Sequence, residues 1–261
     1  MSWPKFEFRL FLAEAIGTAL LLFFGLSIVI FNWGENSVVA KSIPSEPLRR
    51  LLTGFLFGSV GCLVTISQVG KISGAHINPV VSIAFWLRGK MKTNTMIGYI
   101  VGQMIGAGIG CIPLLIWGEQ GKSIEYGITQ PANSNVVAAF IGEMIATSCL
   151  IFYLYIFIGT KKLRNYTPFG IPLLYSILSW AEASYSGCST NPARSFGPAF
   201  VSGNFSNYWL YWIAPLAGVL FVTGIFRIRR LRNMYRMQAA RVSYHNSPTS
   251  ESLVSGLAGL D

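Results

Sequence analysis

Charge is scarce in this chain. Of its 261 residues only 11% are charged, and carboxylates number ten against twenty Lys and Arg. A soluble domain with so few charges and 52% hydrophobic residues would be outside the usual range. Histidine occurs twice, and the four cysteines (Cys62, Cys111, Cys149, Cys188) form no CxxC pair. No metal-ligand cluster and no nucleophile–base motif can be assembled from so thin a supply, which argues against an enzyme, a bound metal or any other cofactor. No disulfide framework is implied either; Cys62, Cys111 and Cys149 sit in apolar segments and are expected to be buried free thiols.

What the chain has instead is long apolar runs. Leu10–Phe31 is 22 residues with one charge, Glu14, enough to cross about 30 Å of hydrocarbon and too long for a cleavable signal peptide. Further spans are expected at about 49–69, 94–117, 136–158, 168–183 and 207–226, giving six membrane helices. The net charge of +10 could suggest nucleic acid, but its placement argues for topology. With the amino end inside, Lys5, Arg9, Lys71, Arg88, Lys90, Lys92, Lys161, Lys162, Arg164 and the tail arginines 227, 229, 230, 232, 236 and 241 share one side. Those are fifteen of the twenty basic residues; only Lys41, Arg49, Arg50, Lys122 and Arg194 lie opposite. That bias predicts both termini in the cytoplasm. The expected organisation is a cytoplasmic N-terminus (1–9), a membrane domain (10–226) and a basic, Ser-rich cytoplasmic tail (227–261).

Two short stretches organise the rest. Ser73-Gly74-Ala75-His76-Ile77-Asn78-Pro79-Val80 is echoed by Gly187-Cys188-Ser189-Thr190-Asn191-Pro192-Ala193-Arg194. Asn is a favoured helix N-cap and Pro suits the first helical position, so each Asn-Pro pair predicts a helix start. The apolar residues that follow are too few to span a bilayer, so both helices are expected to be re-entrant halves. Ala13-Glu14-Ala15-Ile16-Gly17-Thr18 and Gly142-Glu143-Met144-Ile145-Ala146-Thr147 also match. The chain therefore reads as two repeats of three spans, about 10–117 and 136–226, in opposite orientation, with Asn78 and Asn191 meeting near the midplane. Irregular backbone at that depth is tolerated where it lines a wet pathway, and two helix N-termini with Arg194 would repel protons and cations there. Gly98, Gly102, Gly106 and Gly110 stand four apart, a stripe suited to close helix packing.

These motifs resemble the two signatures of the aquaporin (major intrinsic protein) family, over about residues 8–228. Gln103 and Trp212-Ile213-Ala214-Pro215 add to the likeness, while Val80 departs from it, since the family usually has Ala there. The resemblance implies an all-α fold of six membrane helices and two half-helices in an inverted 3+3 repeat. It implies a passive channel for water that excludes ions, with Asn78, Pro79, Val80, Asn191, Pro192 and Ala193 as its pore motifs. Glu14 and Glu143 would support the re-entrant loops. His76 is expected as a hydrogen-bonding packing residue near the cytoplasmic mouth, with gating by protonation as the alternative. The resemblance further implies a homotetramer in a plasma or bacterial inner membrane, with water, small neutral solutes and lipid as partners and no nucleic acid.

Selectivity is less settled by the resemblance. Counting the family's four constriction positions without gaps gives Gly58, Ser179, Cys188 and Arg194. Small residues at the first two imply a wide filter, open to glycerol, urea or a metalloid acid; a slip of one residue would bring Phe57 in place of Gly58. Ser195, Ala199, Tyr211 and Trp212 resemble the water-channel set instead. The expectation is a water channel, with passage of small uncharged solutes left open. The alternatives are a channel mainly for such a solute and a structural membrane protein with a closed pore. Glu182 finds no role in the resemblance.

Overall fold

The computed structural model describes residues 7–227. Lys5 and the basic, Ser-rich tail beyond Arg227 lie outside the described residues. The described residues include six long helices: α1 (Phe8–Trp33), α2 (Glu46–Ile66), α4 (Thr93–Cys111, continued as a 3-10 turn to Trp117), α5 (Val136–Gly159), α6 (Thr167–Ser186) and α8 (Leu210–Ile225). Between them lie the short helices α3 (Pro79–Leu87) and α7 (Pro192–Ser202). Helix α3 has 9 residues and α7 has 11. At about 1.5 Å per residue each reaches roughly half of a 30 Å hydrocarbon layer. The chain is an all-α membrane protein with the expected inverted repeat. Among the described residues, four helices (α1, α2, α4 with its extension, and α5) are long and apolar enough to span a bilayer on length and composition alone. The other two fall short for visible reasons: α6 carries Glu182 and several hydroxyl side chains, and α8 has 16 residues.

The two repeats pack alike. Helix α1 lies along α4, α5 lies along α8, and α2 crosses α6 at the join between them. The half-helices bridge the repeats: α7 of the second repeat packs on α4, and α3 of the first repeat touches α8 as well as α4. At one end, the Arg88 guanidinium donates to the Phe226 carbonyl at 2.8 Å, which ties the first re-entrant segment to the end of α8. Leu150, Leu154, Tyr155 and Ile158 of α5 close over Val80, Val81, Ala84 and Phe85 of α3, a core built across the repeat boundary.

The glycine stripe of α4 lies inside this bundle. A Cβ at Gly106 would collide with the Ala15 carbonyl oxygen, and one at Gly102 would come within 2.7 Å of the Phe11 carbonyl. A Cβ at Gly110 would come within 2.6 Å of Ala19 Cα. The partner residues Phe11, Ala15 and Ala19 are themselves four apart, so two i,i+4 rows face each other. Cys62 and Cys111 are buried as expected, whereas Cys149 is exposed. It falls on the outward stripe of α5 with Ile145 and Phe152, both also exposed.

Candidate functional site: the paired Asn-capped half-helices

Both half-helices begin as the Asn-Pro pairs predict. Asn78 Oδ1 accepts from Val80 N–H at 3.0 Å, and Asn191 Oδ1 accepts from Ala193 and Arg194 N–H at 3.0 and 3.3 Å. Pro79 and Pro192 occupy the first turns. Each Asn then reaches across to the other repeat. Asn78 Nδ2 donates to the Thr190 carbonyl and Asn191 Nδ2 to the Ile77 carbonyl, both at 2.9 Å. An amide carries two N–H bonds, so one on each Asn remains for something else. Val80 and Ala193 lie fully buried at the join, and the larger Val80 is accommodated in the core beneath it.

The strands of backbone that lead in are matched residue for residue. Gly74, Ala75 and Ile77 have φ of 86°, 46° and 42°; Gly187, Cys188 and Thr190 have 89°, 52° and 51°. The two glycines end the preceding helices in the left-handed region, where glycine has no penalty. The others are strained, Ile77 and Thr190 most of all, because a β-branched residue resists positive φ.

A buried carboxylate holds each strained loop. Glu14 accepts from the N–H groups of His76 (2.9 Å) and Ile77 (2.7 Å), and from Gln103 Nε2 at 2.7 Å. Glu143 accepts from the N–H groups of Ser189 (2.6 Å) and Thr190 (2.7 Å), and from the Ser186 hydroxyl at 2.7 Å. The helix-end carbonyls are matched too. Tyr99 donates to the Ser73 carbonyl at 2.6 Å, and Tyr211 to the Ser186 carbonyl at 2.8 Å. Glu182 joins the second loop by a very short hydrogen bond with Ser186.

Two cavities meet at this centre. The inner one is lined by His76, Asn78, Ser189 and Asn191 together with Gly58 and residues of α5 and α6. The outer one, about 250 Å³, is lined by Trp33, Arg50, Ser179, Gly187 and Cys188 among others. Phe57, Tyr175 and Arg194 line both. Arg194 is buried, its Nη1 donates to the Gly127 carbonyl at 2.6 Å, and its guanidinium carbon lies 5.9 Å from the Phe57 ring centre. His76 is also buried, with Nδ1 3.1 Å from Ser82 Oγ and its ring 4.6 Å from that of Phe85.

The four residues counted from sequence are not all brought together. Cys188 and Arg194 share the outer cavity. Gly58 instead backs onto α6, where a Cβ would meet Pro172 Cα at 2.8 Å. Phe57, one residue earlier, stands beside Arg194. Ser179 lies on the outer cavity, with its own Cβ 2.7 Å from where a Cβ on Gly54 would stand. Tyr175, a full turn before Ser179, was not anticipated. Its only sequence signal is the Gly54–Gly58 pair, which implies a close crossing that fixes how α6 is turned.

Residues 2–226 match the family model of the major intrinsic proteins. The chain belongs to that family. Major intrinsic proteins are membrane channels for water or small solutes, and the paired Asn-Pro loops are typical of them. The chain is 32% identical over 227 residues to Aquaporin TIP2-1 of Arabidopsis thaliana, covering 83% of this chain and 85% of that one. It is 31% identical to Aquaporin-8 of Rattus norvegicus, over 87% and 84% of the two chains. Among solved structures, the aquaglyceroporin from Plasmodium falciparum shares the fold at a TM-score of 0.67 and 21% identity, covering 87% of this chain and 98% of that one.

Proposed function

We propose that this major intrinsic protein is a passive channel for water, with residues 10–226 as the channel and both termini cytoplasmic. The observation that carries the reading is the reciprocal pair of bonds from Asn78 to Thr190 and from Asn191 to Ile77. It fixes two amides at the meeting of the half-helices and leaves each with one N–H to offer a passing oxygen. Helix N-termini carry partial positive charge, and here two of them and Arg194 converge on one passage. A hydrated proton or cation meets that field without a compensating carboxylate, since Glu14 and Glu143 are occupied by the loop N–H groups. His76 sits at the inner end as a packing and hydrogen-bonding residue. The tetramer remains the assembly that family membership suggests.

The reading is tested on purified protein in liposomes by stopped-flow light scattering with an impermeant osmolyte. Shrinkage several-fold faster than in protein-free liposomes is expected, together with no added decay of an imposed pH gradient. Shrinkage at the bare-lipid rate would favour a closed structural protein instead.

A further inference from the structure

We infer that Tyr175 is the specificity-determining residue of this channel, narrowing its neck so that water passes and glycerol and urea do not. This rests on the water-channel reading above. A solute leaving the cavity around Asn78 and Asn191 must pass the residues that border both cavities, and these include Phe57, Tyr175 and Arg194. Two of the three are aromatic, with ring centres 6.4 Å apart and planes inclined by 39°. Their faces supply bulk without hydrogen-bond partners, and Arg194 supplies donors from one side only.

Each wall is fixed from behind. The Tyr175 hydroxyl lies 2.8 Å from Thr190 Oγ1, and the Thr190 N–H is held by Glu143 at 2.7 Å. The ring therefore cannot swing aside without breaking into the second re-entrant loop. Phe57 is seated in the notch left by Gly25 on α1, where a Cβ would meet the ring at 2.6 Å. Arg194 is tied to the Gly127 carbonyl. Helix α6 brings Tyr175 this far in because its carbonyl packs directly on Gly54. Water needs few partners and little width in such a neck. Glycerol and urea are wider and would shed several hydrogen bonds against two ring faces, a desolvation that the single Arg194 edge cannot offset. Small Gly58 and Ser179 thus do not make a wide filter, because neither forms the neck.

The test uses proteoliposomes of the full chain, shrunk by an impermeant osmolyte, glycerol or urea, for the protein and its Tyr175→Val and Tyr175→Phe variants. The unaltered protein is expected to shrink fast in all three and not to re-swell above the bare-lipid rate. Tyr175→Val is expected to keep fast shrinkage and to re-swell in glycerol and urea about tenfold faster. Tyr175→Phe keeps the ring but not its tie to Thr190, and is expected to re-swell in both solutes more slowly than Tyr175→Val. Fast re-swelling of the unaltered protein overturns the inference, with no variant needed. So does a water-conducting Tyr175→Val that still excludes both solutes, or a Tyr175→Phe that re-swells as fast as Val. Unaltered protein that conducts no water overturns the channel reading itself, and this inference with it.

Discussion

Replacing Glu143 by Ala is expected to abolish water permeation and leave a protein that aggregates on extraction from the membrane. Glu143 accepts two backbone N–H bonds from a loop whose residues Cys188 and Thr190 are held at positive φ. Orphaning two buried donors costs about 1–3 kcal/mol each, and the strained backbone loses the contacts that compel it. The sum is on the order of the whole margin that holds many folded proteins together. Asn191 would lose its register on Ile77 with the loop, so the damage crosses to the first repeat. Glu14→Ala should do the same through His76 and Ile77.

Glu182 provides the contrast. Ser186 has one hydroxyl proton and stands between two carboxyl groups. Glu143 already gathers two N–H donors and needs its oxygens as acceptors, whereas in the bond between Ser186 and Glu182 a carboxyl is able to donate as well as accept. An amide can donate in the same way. Glu182→Gln is therefore expected to keep thermal stability in detergent close to that of the parent, whereas Glu143→Gln should lower it clearly. Equal losses for the two would show that the hydrogen bonds are shared differently.

The architecture was legible in the sequence because membrane burial is written in one dimension. Each expected span lies within three residues of its helix, with the 3-10 extension of α4 to Trp117 counted: about 49–69 against Glu46–Ile66, and about 168–183 against Thr167–Ser186. Asn-Pro at both half-helix starts follows from local rules, and the pairing of Glu14 with Glu143 from the matching repeats; their part as loop acceptors is what the family resemblance implied. What the sequence did not yield is rotation about a helix axis. One residue on α2 corresponds to about 100°, which separates Gly58 against Pro172 from Phe57 beside Arg194. On α6 the side chain that borders both cavities is Tyr175, a turn away from the counted Ser179, because Gly54 and Gly58 let α6 approach with that face inward. Cys149 was misplaced for the same reason: an apolar segment says that a residue is in the bilayer, not which way it points.

That dependence of the site on helix approach leads to the second large effect. Gly106→Leu is expected to yield no monodisperse protein, although Gly106 touches neither cavity. Its missing Cβ faces the backbone of Ala15, with carbonyl carbon at 2.8 Å and Cα at 2.9 Å beyond the colliding oxygen. Backbone cannot rotate away as a side chain can, so α1 as a whole must retreat. Overpacking of side chains alone costs about 1–3 kcal/mol, and here the contact is with main chain. The retreat also draws Glu14, the neighbour of Ala15, away from His76 and Ile77, so loss of packing becomes loss of the first re-entrant loop. Gly224→Leu on α8 is the comparison, since a Cβ there meets nothing within 4 Å. It should remain folded, with a small gain from helix propensity. The measurement is the elution profile in detergent after stepwise heating. A Gly106→Leu protein as resistant as the parent would mean that α1 and α4 tolerate separation and that the loops are held without their close contact.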